Sequence, residues 1–346
     1  MKIINAVVSR RIIVLLACLT MAVAAWYEMA QSRAAEATTN LTVLFQMVGD
    51  FPLPGGTTRW DYQSLDQDLW RIFIAHLGDS EVVAFDTASK KVVGSIKDIG
   101  HVHGTLAIPQ KQVVYASATQ TDEVVAINPM TLSIIARVPA GVYPDGMAYA
   151  PKVGKLYISD ENGDTETVID VSRNERIATI PLGGKVGNSQ YDSVTQRILV
   201  NVQGRQELAI IDPTRDVVVE RIALPTKGNH GLLIEAKRRL AFIACEEDNM
   251  LLVLDLNTNR VVKRFPLGAE PDVLAYDEKL GKLYVAGEAG VMSVFSVTDS
   301  GVAKQGDVLV GPNAHAVAVD PVTHEVYLPL RDVGGVTVMR VLKPRP

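Results

Sequence analysis

The stretch "VVYASATQTDEVVAINPMTLSIIARVPAG" (113–141) recurs in altered letters as "KLYISDENGDTETVIDVSRNERIATIPLG" (155–183) and, in part, as "KLYVAGEAGVMSVFSV" (282–297). Each copy opens on a short strand of the "xYVA" type. A polar turn follows, then an alternating strand ending near Asp or Asn. After a turn rich in Thr, Asn and Pro come another strand and a Gly/Pro-rich link. Alternation over four to eight residues, punctuated by turn residues, is the pattern of half-buried strands. No segment after the leader sustains a helical period.

Working outward, the polar residue at the entry to each inner apolar strand sets the register. It reads Asp61, His103, Asp145, Asn188, His230, Asp272 and His315, at intervals of 42 or 43 residues. Seven anchors at this spacing mean seven units, and a unit of this length with four antiparallel strands is a propeller blade. The all-β fold expected is therefore a seven-bladed β-propeller. After His315 there is room for only three strands, near 316–320, 326–330 and 336–342. Residues 42–48, "TVLFQMV", resemble outer strands such as "VVVERIA" (217–223). This N-terminal strand is expected to complete the last blade and remove the open edges.

The first residues differ from the rest. Lys2, Arg10 and Arg11 precede an uncharged stretch, Ile12 to Ala25, and small residues lead to "AEA" at 35–37. This is the layout of a signal peptide over 1–37, with one propeller domain over 38–346. The apolar run is shorter than the roughly 20 residues of a membrane span. A periplasmic or secreted protein without stable membrane insertion is expected. A lipoprotein cleaved at Cys18 and an uncleaved anchor are the alternatives.

Cleavage would take four of 34 basic and two of 39 acidic residues, moving the net charge from −5 to about −7. That balance argues against a nucleic-acid partner, which needs a basic surface. It would also leave Cys245 alone, without an internal disulfide; "LAFIAC" suggests a buried strand position. Tyr115, Tyr157, Tyr284 and Tyr327 recur at one blade position and read as core.

The strands "KLYIS", "KLYVA" and "EVYLP", the turns "VIDVSRN", "IIDPTRD" and "LDLNTNR", and the links "GVYPDGMAYAP" and "GAEPDVLAYD" resemble the YVTN-repeat propellers, including YncE-like periplasmic proteins. The resemblance covers residues 42–342 and is specific for fold. It implies that the first strand of each blade lines a central channel and that all seven anchors surround one mouth of it. Function is left open, since propellers host many chemistries.

In that architecture Asp61, His103, Asp145 and Asn188 are candidate ligand-binding residues of the ring, with His101 beside them. His230, Asp272 and His315, in consecutive blades, are the candidate metal ligands. Imidazole and carboxylate are ordinary ligands for divalent transition ions, so one divalent metal ion is the cofactor considered. The turns ending each second strand reach the same face and bring His76, Asp160, Glu161, Glu246, Glu247, Glu288 and Arg331. Glu246 and Glu288, with His230, are candidate acid–base groups. Trp60, Tyr143 and Asn313 lie at or beside the same links. His324 should lie on the opposite face, in solvent. A plain reading, in which the ring is a set of solvated polar rim residues, stands beside these.

Two function classes follow. One is a monomeric, exported binding protein that takes a small molecule or metal at the top face. The other is a metal-dependent lyase or lactone or ester hydrolase. Some similar propellers, the streptogramin lyases, carry histidine and glutamate around a magnesium ion on late blades. His230, Glu270 and Glu288 match that layout, whereas Asp272 stands where a catalytic histidine is expected.

Overall fold

This structure, a computed structural model, describes residues 41–345; the expected leader lies outside the described residues. Seven four-stranded antiparallel sheets follow one another around a ring. Blade 1 comprises Gln63–Asp66, Arg71–His76, Glu81–Asp86 and Lys91–Ile96, and the next five blades repeat that order. Blade 7 holds Ala318–Val319, Val326–Val333 and Val336–Pro344, and its fourth strand is Phe45–Pro52 from the N-terminus. Phe45 pairs with Pro344 and Pro52 with Val338, so the ends of the chain clasp as expected. The clasp strand begins later than the sequence suggested, because residues 41–44 make one helical turn.

The core is distributed. Seven apolar clusters lie one between each pair of neighbouring blades; the one with Phe73 joins blade 1 to blade 2, and a separate one with Trp60 and Tyr327 joins blade 7 to blade 1 at the closure. Each sheet buries both faces against a neighbour, which is why its middle strands read as continuous Val, Ile and Ala rather than strict alternation. Two of the recurring tyrosines also tie blades together: Tyr115 Oη donates to Asn174 and Tyr157 Oη to Asp216, both at 2.6 Å. Cys245 is fully buried on its strand, and burial pushes its thiol up to about 11.

The anchors sit slightly deeper than expected. In blades 2 to 6 they fall inside the first strand, at a register shift in its ladder with the second strand. In blade 2, for example, Val102 pairs with Ala118 and Thr105 with Ala116, leaving His103 and Gly104 opposite Ser117 alone. Such a bulge re-aims side chains. Asp61 and His315 instead precede their strands. A glycine follows three anchors because neighbouring blades meet there: a Cβ on Gly231 would lie 1.9 Å from the Asp272 carbonyl oxygen.

Candidate functional site

The ring is brought together and is nearly dry. Asp61, His103, Asp145, Asn188, His230, Asp272 and His315 are all buried. Its centre is filled by a residue the sequence reading did not single out. Tyr62, next to the first anchor, points its hydroxyl at Asn188 Oδ1 (2.9 Å), His230 Nε2 (3.1 Å) and Asp272 Oδ1 (3.2 Å). One phenol thus spans blades 4, 5 and 6. Burial and the surrounding carboxylates hold that phenol protonated. Polar groups taken out of water need such partners.

His315 closes the ring. Its Nε2 stands 3.0 Å from Asp61 and 3.2 Å from Asp272, and its Nδ1 stands 3.2 Å from Glu288. Burial opposes protonation, but the carboxylates win and keep the imidazole charged to well above its ordinary range. Burial likewise pushes Asp61 up, yet His315, His103 and Arg59 hold it well below the usual carboxylate range. The contact with His315 lowers Glu288 too.

Arg59 is the second residue missed. Its guanidinium reaches Asp61 and Glu288, both at 3.1 Å, while staying partly open to solvent. The stretch "RWDY" at 59–62 was a usable signal, since basic and aromatic side chains flank an anchor there. This link enters from the N-terminal strand, and no repeat spacing marks which of its side chains reaches the channel mouth.

His230 takes a contact from Gln203 at Nδ1 and faces Asp272 (3.4 Å) and Asp145 (3.8 Å) at Nε2. Burial lowers its basicity, but Asp272 and Asp145 raise it by more. Asp145 is pushed up to about 7 by burial, against the pull of His103 and His230. Glu246, half-buried, is also raised by burial, with His230 acting against that. His103 turns outward to Thr119 (2.7 Å) and Tyr143 Oη (3.1 Å), so it does not share a ligand position with His315.

Other candidates stand apart. His101 is exposed and contributes main chain: its amide donates to Ser80 and its carbonyl faces His103 Nδ1. Glu270 is exposed, and its carbonyl accepts from the Glu288 amide. Glu161 pairs with Lys185 at 2.8 Å. His76 lies away from the ring, stacked on Trp60. His324, expected in solvent, is mostly buried and pairs with Asp277 at 2.6 Å, because the turn of blade 7 packs against the last residue of blade 6's first strand.

Of the three metal ligands read from the sequence, two stay together and one is replaced. Asp272, Glu288 and His315 each offer a ligand atom, and these lie within 4.8 Å of one another. His230 stands beside Asp272 but outside that group, because Tyr62 and Gln203 engage its two nitrogens.

No family model matches the chain, and no curated protein matches it. Solved structures do. The chain is similar to Kuenenia stuttgartiensis hydrazine synthase (16% identity, TM-score 0.68, 85% of this chain and 97% of that one). It is similar to a streptogramin B lyase (11% identity, TM-score 0.73, 88% and 99%). A chain of the mitotic checkpoint complex aligns as well (12% identity, TM-score 0.72, 86% and 91%). At these identities the likeness is one of fold. No helix among the described residues is long and apolar enough to cross a membrane.

Proposed function

We propose that this chain is an exported, YncE-like propeller that binds one divalent metal ion at its top-face mouth, through Asp272, Glu288 and His315, and presents it to a small ligand. The supporting observation is the convergence of those three side chains. The donor set fits. Nδ1 of His315, buried and without a hydrogen-bond partner, faces Glu288, while Asp61 and Asp272 both stand at Nε2, where Asp61 orients the imidazole. A carboxylate behind a histidine is a common support for a metal ligand. Charge fits too. Asp61, Asp272 and Glu288 carry three negative charges against Arg59, an excess matching a divalent cation once the imidazole is neutral. When bound, the ion supplies Lewis acidity and a ligand position. Arg59 then stays on Asp61 and offers its exposed edge to an anionic ligand group. The basic start and apolar run of residues 1–37 support export.

His230 favours a second reading of the same site. It places a buried imidazole 3.4 Å from Asp272, where it can hold or move a proton beside the ion's position. Elimination, or lactone or ester hydrolysis, would then follow binding, and the streptogramin B lyase is one propeller of similar fold.

Calorimetric titration of chelator-stripped protein with Mn²⁺ and Zn²⁺ tests the first reading. Saturable binding should weaken by roughly tenfold or more in Glu288→Gln and in His315→Ala. Equal affinity in both variants overturns it. Loss of lactonase or lyase turnover in His230→Ala, with metal retained, would establish the enzyme.

A further inference from the structure

Residues 55–62 serve two places at once. Arg59 and Asp61 turn to the channel mouth, whereas Gly55, Gly56, Thr58 and Trp60 turn to the top of blade 1. There His76 and Glu81 end and begin adjacent strands, with Asp79 in the short 3-10 turn between them. We propose that His76, Asp79 and Glu81 form a second, independent site for a divalent transition-metal ion of the zinc class.

The geometry leaves a place for a cation. His76 and Glu81 are both fully buried. The Thr58 hydroxyl donates to Asp79 Oδ1 at 2.6 Å and is 2.9 Å from His76 Nε2. With its only proton given to Asp79, that oxygen accepts from Nε2–H, so Nδ1 carries the lone pair. Nδ1 then faces Glu81 Oε1 at 3.5 Å, and neither atom has a hydrogen-bond partner. Two bare acceptors facing each other in a dry pocket are costly. An ion about 2.0–2.2 Å from each, at a tetrahedral angle, needs donors about 3.4 Å apart.

The surroundings hold that arrangement. Trp60 stacks on the imidazole with centroids 3.7 Å apart and planes 10° from parallel, and its Nε1 donates to Thr337 at 2.6 Å. The Gly56 amide donates to Asp79 Oδ2 at 2.8 Å. Gly55, at φ +88°, keeps the Nδ1 edge open; a Cβ there would lie 2.9 Å from Nδ1 and 2.4 Å from Asp79 Oδ2. Lys97 pairs with Glu81 Oε2 from the solvent side, leaving Oε1. All three donors lie within 4.8 Å of one another.

The test is Co²⁺ titration of the chelator-stripped full chain, read by tryptophan fluorescence, because Trp60 lies against the ligating imidazole. Quenching should saturate, survive His315→Ala, and weaken by roughly tenfold or more in Glu81→Gln and in Asp79→Asn. Circular dichroism confirms that these near-isosteric variants fold. No saturable quenching, or equal affinity in Glu81→Gln, overturns the site and means that the two acceptors share a proton. Quenching lost in His315→Ala moves the ion to the channel mouth and overturns it equally.

Discussion

The carboxylates on the two faces of the disc do different jobs. On the bottom face Asp66, Asp86, Asp170, Asp212, Asp255, Asp277 and Asp320 each accept from amides two or three residues further on. These are turn-capping carboxylates, formed within one blade. On the top face the partners are remote in sequence. Asp61 meets His315, and Asp272 meets a hydroxyl carried by Tyr62. The amide contacts of the bottom acids form within single blades, although Asp277 also meets His324 of the next blade. The top acids are paired only when the ring has closed, so their charge is spent on a shared centre.

The largest effect that can break this comparison comes from glycine. Gly231→Ala forces a methyl onto the Asp272 carbonyl between two blades and should cost about 3 kcal/mol in urea unfolding. Gly154→Ala, in a bottom turn at φ +65° with open space around it, should cost only about 1 kcal/mol. Equal losses would mean that the top-face junction is no tighter than a turn.

A smaller effect separates the faces by pH. Burial works against Asp192, but the bidentate contact of Arg239 (2.6 and 2.8 Å) lowers its carboxyl. A depressed acid contributes stability above its unfolded value of about 3.9 and loses it as pH falls through the folded one. Asp192→Asn should therefore flatten the acid limb below about pH 4. Asp145 has the opposite sign. Burial raises it to about 7, so its share of stability declines as pH rises from the unfolded value of about 3.9 through the folded one. Asp145→Asn should flatten that limb instead. Denaturation midpoints across pH check both, and the same sign for the two variants would erase the distinction.

The same contrast explains what could be read in advance. Turns such as "IIDPTRD" declare themselves because donor and acceptor are neighbours in the chain. The seven anchors were legible because a repeat forces equivalent residues to one mouth. Tyr62 and Arg59 were not, since no spacing rule tells which side chain beside an anchor fills a ring's centre. Glu288 stands in the acid–imidazole group where His230 was expected, because Tyr62 and Gln203 engage the His230 imidazole. The His76 pocket lay hidden for the same reason. Its donors are close in sequence, but Thr58 and Trp60, which set the tautomer and the ring's orientation, come from the link that joins the clasp strand to blade 1.

The most direct measurement is anomalous diffraction at the cobalt edge from crystals grown with Co²⁺. A peak bounded by Asp272, Glu288 and His315, absent in crystals of Glu288→Gln, is the expected result. A Co²⁺-saturated crystal with no peak there, and Arg59 still bridging Asp61 and Glu288, would contradict the reading of the channel mouth as a metal centre.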